Sequence, residues 1–94
     1  MAIKSFTDKN AMSFFETGKA HRKLGWFSVH NIIRRKLLLL HWSGDLNDLR
    51  TPGNHLEMLK GDLKGFYSIR VNRRWRIIFK WDTEPYEVSI VDYH

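Results

Sequence analysis

The fold of this chain is decided by residues 66–81, which read FYSIRVNRRWRIIFKW. Two runs inside this segment alternate apolar with polar side chains. The apolar members of the two runs are Tyr67, Ile69, Val71, Trp75, Ile77, Phe79 and Trp81. A period of two is typical of strands that bury one face. The segment therefore predicts two strands of an antiparallel hairpin that turns near Asn72 to Arg74.

The pattern continues on the C-terminal side of this hairpin. Residues 82–85, DTEP, predict a second turn, and Tyr86 to Tyr93 predict a third strand. On the N-terminal side, Ala2 to Phe6 is a short β-prone stretch. The predicted class is α+β, with a short N-terminal strand, two helices and an antiparallel C-terminal meander in a single domain over residues 1–94.

The two helices are predicted from caps and periodicity. Thr7 or Asp8 can cap a first helix that begins near Lys9, and Gly18 offers its end. Ser28 is the expected cap of a second helix that runs to about Trp42 and ends at Ser43-Gly44.

The second helix carries more apolar residues than one buried face needs. The apolar residues that recur with the helical period are Val29, Ile32, Ile33, Leu37 and Leu40. Leu38, Leu39 and Trp42 overfill that stripe. Such a helix is either wedged between layers of the core, which is the simpler interpretation, or pressed against a partner chain.

Composition restricts the classes of function. Sixteen Lys and Arg residues against ten Asp and Glu give a formal charge of +6, which favours a polyanionic partner such as nucleic acid or an anionic surface. The absence of cysteine excludes disulfides and thiolate metal sites and suits the reducing cytosol. No apolar run approaches the length of a membrane span, and no export signal is found, so we expect a cytoplasmic protein.

The excess positive charge is concentrated in residues 60–80. The basic residues there are Lys60, Lys64, Arg70, Arg73, Arg74, Arg76 and Lys80, against the single acid Asp62. If Trp75, Ile77 and Phe79 point inward, the basic residues that alternate with them form one sheet face suited to phosphates and stacked bases. The alternative is an ordinary solvated face. The five histidines lack metal-ligand spacing, so neither a metal nor another cofactor is expected.

Several motifs together resemble one family. They are Ile3-Lys4-Ser5-Phe6, Arg35-Lys36-Leu37, Leu59-Lys60-Gly61-Asp62, Gly65 to Val71, Trp75-Arg76-Ile77 and Val91-Asp92-Tyr93-His94. In this order and spacing the chain resembles HigB-type toxins of the RelE/ParE toxin–antitoxin superfamily. The resemblance implies a RelE-like microbial RNase fold and cleavage of mRNA in the decoding site of the 30S subunit of a translating ribosome. It also implies inhibition by a HigA-like helix-turn-helix antitoxin, with DNA contacted only through that antitoxin.

The same resemblance implies a set of site residues. Lys60, Arg76, Asp92, Tyr93 and His94 match the family's functional positions. Some members have a histidine where this chain has Glu57. His55 lies two residues earlier and, in a strand, would face the same side as Glu57. The assisting base is therefore either Glu57 or His55. The remaining candidate RNA contacts are Arg70, Arg73, Arg74, Lys80, Lys64 and His55.

These residue types suit RNA cleavage that uses the ribose 2′-hydroxyl as nucleophile. Lys60 and Arg76 can stabilise the phosphorane charge, and His94 has an imidazole suited to proton transfer near neutral pH. Tyr93 is expected to position or stack on the substrate, and Asp92 to orient a cation. In a fully extended strand Tyr93 and His94 would face opposite sides, so the chain end must turn or only one of them serves.

Two other functions fit parts of the pattern. One is a non-enzymatic, ParE-like toxin that poisons a topoisomerase, and the other is an RNA-binding module without chemistry. The Asp92-Tyr93-His94 ending argues against the topoisomerase poison. A cleavage assay distinguishes the RNA-binding module from an endoribonuclease.

Overall fold

The architecture is one antiparallel sheet with two helices on one of its faces. The computed structural model describes residues 2–93. Its regular elements are helix α1 (Lys9–Thr17), helix α2 (His30–Trp42) and strands β1 (Glu57–Met58), β2 (Tyr67–Arg70), β3 (Trp75–Asp82) and β4 (Glu84–Asp92). The sheet order is β1-β2-β3-β4, so the predicted C-terminal meander and the α+β class are confirmed.

Helix α1 follows its sequence signals closely. The Asp8 carboxylate accepts hydrogen bonds from the backbone N–H groups of Asn10 and Ala11, which satisfies two donors at the helix start. Gly18 takes a left-handed conformation with φ of 74° and closes the helix through its N–H to the Phe14 carbonyl. Both predicted boundaries of this helix are confirmed.

Two predictions about the N-terminal half are corrected. Ser28 does not cap α2, because it lies inside a 3-10 turn (Phe27–Val29) and the residue at the cap position is Val29, which makes no side-chain cap hydrogen bond. The segment Ala2 to Phe6 forms no full strand. It runs beside β4 with one isolated parallel bridge between Phe6 and Val88, because only a few of its backbone groups find partners there.

The two hairpin connections differ in length from the prediction. Strand β4 begins at Glu84, so the connection after Asp82 consists of Thr83 alone, which takes a φ of 61°. Strand β2 ends at Arg70 and β3 begins at Trp75, so the connection between them is longer than the predicted turn near Asn72 to Arg74. The Asn72 side chain instead accepts hydrogen bonds from the backbone N–H groups of Arg74 and Trp75, which fixes the β2–β3 turn.

The main core lies between the helices and one sheet face. It combines the alternating strand residues with the inner faces of both helices, and its fully buried members include Phe14, Ile33, Leu37, Leu40, Ile69, Ile77, Phe79 and Val88. Because strand side chains alternate, the residues between these positions project from the other sheet face, away from α1 and α2.

Candidate active site

The uncovered sheet face gathers several of the predicted site residues by strand register. Arg76 on β3 pairs with Arg70 on β2 and with Val91 on β4. One row along, Ser68 on β2 pairs with Glu57 on β1 and with Ile78 on β3. All of these side chains alternate with core residues, so they share the face that points away from the helices.

Arg76 is the centre of this cluster. Its Nη1 lies 3.1 Å from the Glu57 Oε1 and donates a hydrogen bond of 2.9 Å to the Ser68 Oγ. The Arg76 side chain is only 16% exposed, whereas that of Glu57 is 48% exposed. Protein acceptors therefore hold one edge of the guanidinium group. One of them, the Glu57 carboxylate, is accessible to solvent.

Two further predicted residues border Arg76. The Arg76 guanidinium carbon lies 5.2 Å from the ring centroid of Tyr93, within the range of a cation–π contact. Tyr93 is itself fixed by its backbone N–H, which donates to the Arg74 carbonyl at 2.6 Å. His55 approaches through its backbone, because its carbonyl oxygen lies 3.5 Å from the Arg76 Nη1. The His55 backbone is left-handed, with a φ of 47°.

The edges of the cluster carry paired charges. Asp92 forms an ion pair with Arg74, with 2.8 Å between the Asp92 Oδ2 and the Arg74 Nε. Lys80 lies two residues along β3 from Ile78, with its Nζ 3.5 Å from the Glu87 carboxylate and 5.1 Å from the Phe66 ring centroid. Asp92 is thus paired with Arg74, and its predicted role in the site stays a prediction.

The remaining candidates are less closely associated with Arg76. Lys60, Lys64 and Arg73 are exposed, and within residues 2–93 none of them forms a hydrogen bond or ion pair through its side chain. The Arg70 Nε donates to the Asn72 carbonyl at 3.2 Å. His94 lies outside the described residues, so its predicted role as acid or base stays a prediction.

Sequence reasoning missed Ser68. It is fully buried, because the Arg76 guanidinium lies against its hydroxyl and strand β1 adds a neighbour on its other side. The available signal was a small polar residue between two large apolar ones, Tyr67 and Ile69, opposite the predicted Arg76 strand.

A second missed group supports the segment that carries Glu57. The Lys36 Nζ donates to the Asn54 side-chain oxygen at 2.9 Å and to the Arg70 carbonyl at 2.6 Å. Asn54 is buried and also donates to the Leu49 carbonyl. Burial, and then the charges of Arg35 and Arg70, lower the pKa of Lys36 below its usual 10.5. This group connects α2, the turn before His55 and the end of β2.

Two classes of feature are not found in the described part of the chain. Residues 2–93 contain no group of three or more His, Asp or Glu side chains arranged to hold a metal ion. Among the same residues, no helix combines the length and apolar character that crossing a membrane requires.

Solved structures identify the fold. The chain superimposes with a TM-score of 0.58 on YoeB in the YoeB–YefM complex from Staphylococcus aureus, at 21% identity, covering 100% of this chain and 97% of that one. The YoeB dimer from the same organism matches equally well, with a TM-score of 0.58. The protein therefore has the RelE-like fold of these toxins.

Sequence comparison identifies the family. The model of RelE-like toxins of the type II toxin–antitoxin system HigB matches residues 4–94. The chain belongs to this family of HigB-like toxins. It is 46% identical to Toxin HigB-1 of Vibrio cholerae over 82 residues, which cover 86% of this chain and 84% of that toxin. It is also 30% identical to Endoribonuclease HigB of Proteus vulgaris over 95 aligned positions, covering 98% and 99% of the two chains.

Proposed function

We propose that this toxin is an endoribonuclease that cuts mRNA on translating ribosomes and so halts translation in the cytoplasm. The observation that carries the proposal is the contact of the Arg76 guanidinium with both the Glu57 carboxylate and the Tyr93 ring on an open sheet face. The relative from Proteus vulgaris that bears the name Endoribonuclease HigB supports the same activity.

The proposed mechanism needs no metal. The ribose 2′-oxygen attacks the phosphorus and loses its proton to a base, the bond to the 5′-oxygen breaks, and that oxygen takes a proton from an acid. The products are a 2′,3′-cyclic phosphate and a 5′-hydroxyl. Arg76 stabilises the phosphorane through its planar fork. Lys60, an exposed residue that follows β1 in the sequence, adds a second positive charge.

Glu57 is the better candidate for the base. Its carboxylate lies 3.1 Å from the Arg76 Nη1, so a phosphate bound to Arg76 would lie beside it. His55 faces Arg76 through its backbone carbonyl. We assign the role of acid to His94 and the role of stacking on a neighbouring base to Tyr93.

Partners follow from the family and the site. A type II toxin has a cognate antitoxin, and we propose that it is a helix-turn-helix DNA-binding protein. We further propose that the basic residues around the site, Arg70, Arg73, Arg74, Lys64 and Lys80, contact RNA phosphates on the ribosome.

The test compares folded variants in a translation reaction with a labelled message. Arg76→Ala and Glu57→Gln are each expected to reduce cleavage by about a hundredfold or more, since each removes a group that acts in the transition state. His55→Ala is expected to have a smaller effect. Arg22→Ala, an exposed arginine in the loop between the helices, is the matched control and should cut normally.

The outcomes separate the proposed function from its alternatives. New 5′ ends that require ribosomes support the proposal. Normal cleavage by folded Arg76→Ala and Glu57→Gln would overturn the site, and an intact message together with trapped topoisomerase cleavage complexes would favour a ParE-like poison.

A further inference from the structure

Strand β1 gives the Glu57 side chain little support of its own. The strand has two residues and lies at the sheet edge, where it pairs with β2. Both of its residues are exposed, and the exposed fraction of Met58 is 64%. Two paired residues with so little burial supply little local stability. The position of the Glu57 carboxylate therefore depends on how the chain is anchored on either side of β1.

The two anchors of β1 differ in chemistry. After the strand, Leu59 is buried, and its backbone N–H donates to the Phe66 carbonyl at 2.9 Å. Before the strand, Asn54 is buried, and its side-chain nitrogen donates to the Leu49 carbonyl at 3.0 Å. The Asn54 carbonyl also accepts from the backbone N–H of Arg70 at 2.6 Å. The anchor before β1 is thus a group of buried polar atoms, each of which needs a hydrogen-bond partner.

Lys36 of helix α2 completes this polar anchor. Its Nζ donates to the Asn54 side-chain oxygen at 2.9 Å and to the Arg70 carbonyl at 2.6 Å. It also donates to the Gly53 carbonyl at 3.4 Å. An ammonium group has three donors, so these three acceptors use all of them. A single side chain therefore ties the turn before β1 to the end of β2 and to a helix of the core.

The polar anchor is adjacent to the candidate site along the chain. His55 follows Asn54 directly, has a left-handed φ of 47°, and places its carbonyl oxygen 3.5 Å from the Arg76 Nη1. A residue other than glycine keeps such a conformation only where the surrounding contacts hold it. Two residues further, the Glu57 Oε1 lies 3.1 Å from the same Nη1. A displacement of Asn54 would therefore be transmitted directly to Glu57.

The Lys36 side chain acts on the protein and not on the RNA. Helix α2 packs on the sheet face that carries Ile77 and Phe79, whereas Arg76 projects from the other face. All three donors of the Lys36 ammonium are directed at protein oxygens. An influence of Lys36 on cleavage must therefore pass through the backbone from Asn54 to Glu57.

We propose that Lys36 and Asn54 are positioning residues for the Glu57 base. They hold residues 54–57 so that the carboxylate stays beside Arg76, and neither of them touches the substrate. This inference deepens the proposed function and rests on its assignment of Glu57 as the base. It also gives a functional reason for withdrawing an ammonium group from water, which is costly unless its donors are satisfied.

The test compares kcat and KM for cleavage of a labelled message on ribosomes. Lys36→Met is expected to lower kcat by about tenfold or more at unchanged KM, because it displaces the base and leaves the RNA contacts in place. Lys36→Gln keeps N–H donors at a shorter reach and is the milder variant, with a smaller expected loss. Phe14→Leu is the matched control, because it loosens the core beside Trp26 on the helical side and should leave kcat unchanged.

A double-mutant cycle distinguishes positioning from general loosening. If Lys36 acts through Glu57, then adding Lys36→Met to Glu57→Gln should lower kcat by less than about twofold further. Hydrogen exchange gives a measurement that does not depend on activity. The amides of residues 55–58 are expected to exchange faster in Lys36→Met than in the unmodified toxin, and at the unmodified rate in Phe14→Leu.

The inference and the proposed function fail in different ways. Normal kcat for Lys36→Met beside an impaired Glu57→Gln would overturn the inference and leave the proposed function standing. Losses that multiply in the double mutant, unchanged exchange of residues 55–58, or an equal loss of kcat in Phe14→Leu would overturn it as well. Normal cleavage by Glu57→Gln would refute the assigned base itself, and with it this inference.

Discussion

At the scale of single residues, Arg76 is fixed before any substrate arrives. A guanidinium group that is largely withdrawn from water needs acceptors, and Ser68 and Glu57 supply them on one edge. The ring of Tyr93 adds a favourable contact with the positive charge. Lysine could not reproduce this arrangement, because its single nitrogen has no planar fork. In the proposed function, a phosphate would therefore meet an Arg76 side chain that is already held in place, at low conformational cost.

Gly25 is the glycine at which a side chain has no room. A Cβ built there would lie 2.9 Å from the Trp75 Cζ2 and 3.0 Å from its Cη2, on a ring fixed at the start of β3. Gly25→Ala is expected to lower the free energy of unfolding by about 1–3 kcal/mol through overpacking. Urea denaturation measures the change. Gly44→Ala is the control, since its Cβ would meet nothing closer than 4.0 Å, and an equal loss at both positions would contradict the steric cause.

At the scale of elements, the sequence pattern predicted the strands that have a repeating apolar period. It missed the short strand that is defined only by pairing with its neighbour. The alternation through Tyr67 and Phe79 located the hairpin, since a sheet face buried against helices imposes a period of two. Strand β1 has only two residues and therefore carries no detectable period. Its place at the sheet edge depends on backbone pairing with Ser68 and Tyr67, which no local signal records. The motif resemblance named Arg76 and Tyr93, but the buried role of Ser68 required the register.

Lys36 joins three elements, and its removal is expected to loosen all of them. Lys36→Met leaves the Arg70 carbonyl and the Asn54 side-chain oxygen without a donor, so the free energy of unfolding should fall by about 1–3 kcal/mol. Chemical denaturation at neutral pH provides the measurement. Lys19→Met, at an exposed position after α1, is the control and should change stability little.

The lowered pKa of Lys36 also predicts a pH dependence. The folded chain releases this proton at a lower pH than the unfolded chain, whose value is near 10.5, so in that window the unfolded state binds more protons. The contribution of Lys36 to the free energy of unfolding should therefore rise with pH towards 10.5. The stability gap between the unmodified chain and Lys36→Met is expected to widen over this range, and a gap that narrows would contradict the assigned direction.

At the scale of the whole molecule, the sheet separates two surfaces of different character. One side carries the helices and the partly apolar face of α2, and the other carries the Glu57–Arg76 pair with cations around it. Arg74 and Lys80 lie near that pair, and the chain as a whole has a net charge of +6. Such an arrangement favours long-range attraction to a polyanion and orients the toxin as it approaches.

If the toxin binds ribosomes as proposed, this charge distribution predicts how the binding depends on salt. Lys80 shares the face of Arg76, so Lys80→Gln is expected to reduce the slope of log K against log salt concentration by about one, as for the loss of one phosphate contact. Glu87→Gln should not reduce the slope, because it removes the carboxylate 3.5 Å from the Lys80 Nζ and leaves that cation free for phosphate. Lys9→Gln, on the helical side at the start of α1, is the matched control. Equal slopes for Lys80→Gln and Lys9→Gln in ribosome pelleting across a salt series would place the ribosome contacts away from this sheet face.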